Sequence, residues 1–496
     1  MNLHPARAAA AVLDTPGVNN DTTIRGINMS TATKNYRDPE HVSANLFKAY
    51  DIRGIVGANL FADTAYAIGR AFGSESLAHG HRSVVIGRDG RLSGPEMTQA
   101  LAQGLMASGA DVIDVGAVPT GVLYYAAQVL TTGSGIQVTG SHNPPDYNGF
   151  KMVVGGDTLS GERIQDLRVR IENKNYASGR GQRTHRDILP DYMTRVLADV
   201  RLAKPLHVVV DCGNGIAGKV APDLLKALGC RVKEMYCEVD GRFPNHHPDP
   251  SQPETLQALI KMVRGLKADI GLAFDGDGDR LGVIAPGGEI IWADRQMILY
   301  AEDVLSRNPG SEIIYDIKCS RNLGQRIASL GGKPLMWRTG HSLIKAKLKE
   351  SGAPLAGEMS GHIFFKDRWY GFDDALYCAA RLLEILARDT RSTGEIFSAL
   401  PDMINTPELR LDLEEGTHFT LMQQLLDAAV MDEARLTTID GLRADFVDGW
   451  GLVRASNTTP CLVIRFEAEN AQAMQRIQAC FRDMFYAVDK ALKLPF

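Results

Sequence analysis

Three times along the chain an apolar, β-branched run closes on a turn: Val84-Val85-Ile86-Gly87-Arg88-Asp89, Val208-Val209-Val210-Asp211 and Ile313-Ile314-Tyr315-Asp316. Runs this short, apolar at successive rather than alternate positions, predict strands buried on both faces. Each leads into a helix-like stretch that ends at a glycine and passes to a second strand: Gly109-Ala110 before DVIDVG, Gly229-Cys230 before RVKEMY, and Gly331-Gly332 before KPLMW. Glycine suits the residue that closes a helix, and the order strand, helix, strand predicts a parallel crossover. A third run follows in every copy: Gly135-Ile136-Gln137-Val138, Ile270-Gly271-Leu272-Ala273-Phe274 and Ala353-Pro354-Leu355-Ala356. A long α/β chain produces one such string by chance more easily than three in order, so the pattern predicts three similar α/β domains with mixed sheets.

After Pro407 the pattern changes to short alternating strands and helices, ending in CLVIRFEAE and an amphipathic last helix. A smaller α+β domain of a different type is expected there. The expected division is 41–187, 188–291, 292–404 and 405–496. Residues 1–40 are polar and without sustained periodicity, and are expected to be a disordered extension or an over-long start.

With 496 residues and 44% hydrophobic content, the chain is long enough for several cores. Its formal charge of −5, with Lys and Arg scattered, offers no basic stripe to track a nucleic-acid backbone. A local pocket of Arg and Lys for a phosphorylated substrate remains compatible with that balance. The seven cysteines form no CxxC pair and no zinc-type cluster, and an odd number cannot all pair, so they read as reduced thiols of a cytoplasmic protein. No stretch approaches the roughly 18 to 20 apolar residues of a membrane span.

The segments just beyond the third strands carry the unusual chemistry, at the strand ends where α/β sheets gather ligands. The first is Thr139-Gly140-Ser141-His142-Asn143-Pro144-Pro145, a turn-rich loop that holds one hydroxyl, Ser141, as candidate nucleophile or phosphoryl carrier. Asn143 stands where a G-x-S-x-G elbow needs its last glycine, and the plain alternative is a serine satisfying a turn amide. The second is Asp275-Gly276-Asp277-Gly278-Asp279-Arg280, three carboxylates that repel one another unless a cation neutralises them. An EF-hand would need glycine where Arg280 stands and glutamate where Pro286 stands, whereas Mg²⁺ suits a few carboxylates and a phosphate oxygen. The competing reading is a solvated Asp-Gly turn. The third is Gly357-Glu358-Met359-Ser360-Gly361-His362, able to hold sugar hydroxyls or exchange a proton, although a histidine beside glycine is more often structural. The last region offers Arg454-Ala455-Ser456-Asn457-Thr458-Thr459-Pro460, the donors a phosphate dianion requires, or simply a polar turn. No Walker A, HExxH or strand-linked GxGxxG occurs, which disfavours an ATP-driven kinase.

Taken in order, TGSHNP, DGDGDR, GEMSGH and RASNT resemble the α-D-phosphohexomutase family, from about Tyr50 to the C-terminus. The likeness is greatest to its bacterial mannose/glucose branch, since the methionine of GEMSGH replaces the glutamine typical of the phosphoglucosamine branch. The resemblance implies a heart-shaped, four-domain monomer around a central cleft, with no nucleic-acid or membrane partner. Its activity would be reversible transfer of phosphate between C6 and C1 of mannose and glucose phosphates, through phosphorylated Ser141 and a hexose 1,6-bisphosphate that is intermediate and activator. It further implies Mg²⁺ held by Ser141, Asp275, Asp277 and Asp279. Arg53, Lys151, Arg280 and His362 would join Ser141 as catalytic groups. Lys151 would be the first candidate base, ahead of His362 and His341. Tyr50, His142, Lys318, His341, Glu358, Ser360, Arg454, Ser456, Asn457 and Thr458 would bind substrate. Rival readings are a phosphoglucosamine mutase, a DxD-type sugar phosphatase with Asp275 as nucleophile, and a sugar-phosphate sensor without turnover.

Overall fold

The computed structural model describes residues 34–496 apart from Glu415 and Thr458, and Tyr36–Phe496 form one compact unit. The expectations for Thr458 and for all but the end of the 1–40 extension therefore lie outside the described residues.

The three predicted repeats share one topology. In the first sheet Ser83–Arg88 lies between two parallel neighbours, Asp111–Ala117 and Gly135–Val138. His207–Asp211 is flanked in the same way by Arg231–Met235 and Ile270–Phe274, and Glu312–Asp316 by Lys333–Trp337 and Leu355–Gly357. In each copy the third parallel strand is followed by an antiparallel return: Tyr147–Val154, Leu281–Ile284 and Ile363–Phe365. The return makes each sheet mixed, and it turns the loop after the third strand into a hairpin at the carboxyl edge. All three motif loops named from the sequence are these hairpins. The strand Ile270–Phe274 is buried throughout, as a parallel strand covered on both faces must be.

The crossover helices end where glycine was expected to end them. Gly109 closes Gly94–Ser108 with φ 99°, a left-handed conformation that costs glycine little. The fourth sheet is antiparallel, with Cys461–Ala468 beside Gly449–Ala455 at its centre and the long helix Ala471–Val488 packed against it. It docks on the third sheet through buried polar groups. Arg443 Nη1 donates to the carbonyls of Ile317 at 2.7 Å and Cys319 at 2.8 Å, and its guanidinium lies 3.9 Å from the centre of the Trp450 ring.

Asp374, at the head of the helix Ala375–Arg388, joins a different pair of elements. It accepts from the Tyr377 amide at 3.1 Å, and Tyr192 of the helix Leu189–Asp199 donates its hydroxyl to the same carboxylate at 2.9 Å. Burial raises this carboxyl to about 7 in spite of those donors. Because the folded state favours the neutral acid, stability is fully present below the ordinary carboxyl range and is lost as pH rises to about 7. Asp374→Asn keeps an acceptor oxygen and removes the charge. Its thermal midpoint is expected to exceed that of the parent near pH 8, by the equivalent of roughly 2 kcal/mol, and to match it near pH 4. Equal midpoints across that range would refute this account.

Candidate active site

The Ser141 loop is set by one arginine. Ser141 has φ 49°, a conformation that costs a residue with a Cβ about 1–2 kcal/mol and persists only if its surroundings enforce it. Arg91, fully buried, supplies the enforcement. Nη2 donates to the carbonyls of Ser141 at 2.7 Å and Asn143 at 2.6 Å, and Nη1 to those of Pro144 at 2.5 Å and Tyr147 at 3.0 Å. Asp89 answers it: Oδ2 accepts from Arg91 Nε at 3.1 Å, Thr139 Oγ1 at 2.7 Å and the Gly140 amide at 3.2 Å. The Ser141 amide in turn donates to Thr139 Oγ1 at 2.8 Å. Breaking a buried pair of this kind costs about 3–5 kcal/mol, ample to hold a strained turn.

The hydroxyl so presented donates to Asp275 Oδ2 at 3.1 Å, and His142 Nδ1 lies 3.3 Å away on the other side. Burial, then Arg280 and Arg53, hold His142 well below the ordinary histidine range, so its ring is neutral at physiological pH. Arg53 donates to Asn143 Oδ1 and Asp51 Oδ2 beside the loop.

The loop Asp275–Asp279 packs directly against this one; a Cβ on Gly276 would collide with the Ser141 carbonyl. Its three carboxylates are wholly buried, with ligand atoms within 4.8 Å of one another. Asp275 Oδ1 accepts the Asp279 and Arg280 amides at 3.0 and 3.1 Å, while Asp277 Oδ2 accepts from Thr120 Oγ1 at 2.6 Å and Lys151 Nζ at 2.8 Å. Lys151 also donates to Asp279 Oδ2. Asp277 Oδ1 and Asp279 Oδ1 accept no hydrogen bond from any described residue. Two cations, Lys151 and the adjacent Arg280, against three buried carboxylates still leave excess negative charge, and the free lone pairs are oxygen only. Both properties fit a hard divalent cation. Burial and then the neighbouring Asp279 and Asp277 raise the Asp275 carboxyl well above its usual range. For Asp277 burial is the largest influence and pushes upward, but Lys151 together with hydrogen bonds such as that from Thr120 outweighs it and the net shift is down. Lys151 is the mirror case: burial pulls its ammonium down, the three aspartates push it further up, and it stays protonated.

Arg280 leads into the third hairpin, where its Nε donates to His362 Nε2 at 3.0 Å. Glu358, also buried, accepts the Gly340 amide at 2.5 Å, and Ser360 Oγ stands 3.5 Å from its Oε2. His341 stacks on His362, ring centres 5.4 Å apart, and meets the edge of Tyr50 at 6.1 Å. Tyr50 then reaches the remaining domains: its hydroxyl donates to the Thr339 carbonyl at 2.9 Å and accepts from Asn457 Nδ2 at 2.5 Å. Burial raises the Tyr50 phenol to about 12, so it remains a neutral donor. Arg454 Nε donates to Asp440 Oδ2 at 3.0 Å, and that carboxylate also takes the Thr339 amide at 2.9 Å. Ser456 Oγ is 3.0 Å from Thr459 Oγ1, and Lys318 Nζ donates to Glu408 Oε1 at 2.6 Å.

The structure thus brings together two groups of the residues singled out from the sequence. Ser141, His142, Arg53, Lys151, the three aspartates, Arg280 and His362 form one; Tyr50, His341, Glu358, Ser360, Lys318, Arg454, Ser456 and Asn457 form the other, joined to it through the histidine stack. Sequence reasoning missed Asp89, Arg91, Thr120, Asp373, Asp440 and Glu408. A hollow of about 440 Å³ lined by Arg264, Lys267 and Ser392 among others includes none of these residues.

Comparison with known families matches four consecutive descriptions to the chain. Residues 44–177, 190–288 and 292–404 match alpha/beta/alpha domains I, II and III of phosphoglucomutase/phosphomannomutase, and residues 408–484 its C-terminal domain. The chain belongs to this family. In the phosphoglucomutase/phosphomannomutase plan, the Ser141 loop falls in domain I, the aspartate loop in domain II, the Glu358 hairpin in domain III and Arg454 in the C-terminal domain. A phosphomannomutase/phosphoglucomutase of Pseudomonas aeruginosa is 58% identical over 453 residues, 91% of this chain and 98% of that protein. A phosphoglucomutase of Neisseria gonorrhoeae is 51% identical over 89% of this chain and 96% of its own length. Among solved structures, a phosphoglucomutase/phosphomannomutase family protein from Burkholderia thailandensis superposes with a TM-score of 0.88 at 54% identity, covering 92% of this chain and all of that one.

Proposed function

We propose that this protein interconverts the 6-phosphates and 1-phosphates of mannose and glucose through a phosphorylated Ser141. The observation that carries the reading is the buried Ser141 hydroxyl 3.1 Å from Asp275, where hairpins of two sheets meet and the loops of two more are tied in through Tyr50. A sugar hydroxyl attacks the phosphorus, the Oγ–P bond breaks, Oγ takes a proton and the sugar oxygen gives one up. The bisphosphate then turns and returns its other phosphate to Ser141 by the reverse step.

The protein's own groups divide this work. Arg280 supplies a guanidinium for the charge on the transferring phosphoryl. Lys151, expected from the sequence as first candidate base, is here an ammonium between two carboxylates and so has no free lone pair with which to take a proton. His341, held well below its ordinary range by burial and then Lys345, is neutral and suited to accept the sugar proton. His362 Nε2 is taken by Arg280. Asp275, Asp277 and Asp279, with an oxygen on Ser141, would hold Mg²⁺, which supplies charge neutralisation at the phosphate. Arg454, Ser456 and Asn457 would grip the phosphate that is not transferring, and Glu358 with Ser360 the sugar hydroxyls.

A complete site within one chain supports a working monomer. Seven unpaired thiols support a cytoplasmic setting, and among the described residues no helix is long and apolar enough to cross a membrane. We place the domain limits at 41–187, 188–291, 292–404 and 405–496.

The test is direct. Purified protein with Mg²⁺ and a trace of glucose 1,6-bisphosphate should convert glucose 1-phosphate to glucose 6-phosphate and accept mannose 1-phosphate comparably, with glucosamine 1-phosphate much slower. Free phosphate with label on Asp275 would indicate a phosphatase, and binding without turnover a sensor.

A further inference from the structure

His362 is engaged from two sides by groups of opposite character. Nε2 accepts from Arg280, and a ring nitrogen that accepts carries no proton, so in the neutral ring the proton belongs to Nδ1. Nδ1 lies 3.1 Å from Asp373 Oδ2 and 3.6 Å from Asp279 Oδ1. Neither contact is an aligned hydrogen bond, so the carboxylates act on the ring by charge at close range. The two differ in what else they do. Asp279 Oδ2 holds Lys151 within the metal-type cluster, whereas Asp373 stands behind the histidines, fully buried, with Oδ1 on Lys345 Nζ at 2.8 Å and Oδ2 3.9 Å from His341 Nδ1. Its backbone is fixed beside the His362 hairpin by a bridge to Phe364.

A donor-only guanidinium on one side and an acceptor-only carboxylate on the other leave the neutral ring one satisfactory form. Rotating it, or moving its proton to Nε2, would set N–H against N–H and a lone pair against a carboxylate. The stacked His341 ring limits tilting.

We propose that Asp373 is a positioning residue: its carboxylate fixes the Nδ1-protonated form of His362, and through that ring the aim of the Arg280 guanidinium at the transferring phosphoryl group. The part concerning Arg280 rests on the mutase reading; the part concerning the ring does not.

The test is ¹⁵N NMR of histidine-labelled full-length protein, with His362 assigned from His362→Gln, alongside steady-state kinetics. The wild-type ring should be protonated at Nδ1. In Asp373→Asn the Nε2-protonated form should become detectable beside the Nδ1 form that Arg280 still favours, kcat for glucose 1-phosphate should fall about 10- to 100-fold, and KM should change less than about 3-fold. Should Asp373→Asn fail to fold, Asp373→Glu takes its place, and the wild-type spectrum stands by itself. A wild-type ring protonated at Nε2 overturns the proposal. So do unchanged ring signals in a folded variant at any rate, and a changed ring with unchanged kcat, since the ring would then not steer the reacting group. An Nδ1-protonated ring in a wild-type chain without mutase turnover would support the positioning and count against the mutase reading alone.

Discussion

Ser141→Ala is expected to lower kcat by at least about 1,000-fold while leaving the fold intact. Arg91 gathers four carbonyls of the loop so that Oγ stands against Asp275. Alanine meets the same backbone constraint at φ 49°, so the turn is not made worse. The structural loss is one hydrogen bond to a buried carboxylate, about 1–3 kcal/mol. Two measurements check this. The variant should show circular dichroism like the parent, and it should incorporate no acid-stable phosphate when incubated with labelled glucose 1,6-bisphosphate. A variant retaining a tenth of the parent rate, or still labelled, would remove Ser141 from the chemistry.

Asp277→Asn carries the second largest expected effect. Asp277 is the member of the trio with one oxygen free and the other shared by Thr120 and Lys151, so the substitution removes a ligand charge without removing a side chain. At limiting Mg²⁺ the rate should fall about 100-fold or more, and the Mg²⁺ concentration giving half the maximal rate should rise at least about 10-fold. Stability gives an independent readout. The parent should gain thermal stability on adding Mg²⁺, because a ligand bound only by the folded state raises the midpoint; the variant should gain much less. Without metal the two should lie closer together, since neutralising Asp277 relieves repulsion in the trio while weakening its hold on Lys151. An equal Mg²⁺-induced shift in both proteins would count against these carboxylates as the metal site.

The hydrophobic runs announced the three repeated sheets because a parallel strand buried on both faces must be apolar at successive positions, as Ile270–Phe274 is. The chemical loops were legible for the opposite reason: three aspartates cannot stand beside such a strand without a compensating charge. What stayed hidden acts across distance. Arg91, in the polar stretch Asp89-Gly90-Arg91, has the composition of a surface turn, yet its partners lie about fifty residues away and bury it completely. Asp373 and Asp374 look alike in the sequence, but one faces Lys345 and His362 while the other caps a helix. Glu408 meets Lys318 only after the fourth sheet docks on the third, and Asp440 meets Arg454 only once one hairpin of the fourth sheet has closed.

Those last two pairs have a bearing on release. On the proposed reading Arg454 and Lys318 would meet an arriving dianion already neutralised by Asp440 and Glu408, so that it exchanges one set of counter-ions for another instead of meeting bare charge. The gain in affinity per contact is correspondingly smaller. A group that has to let go of a phosphate twice in each cycle, of one so that the bisphosphate turns and of the other so that product leaves, is served by such moderate attachment.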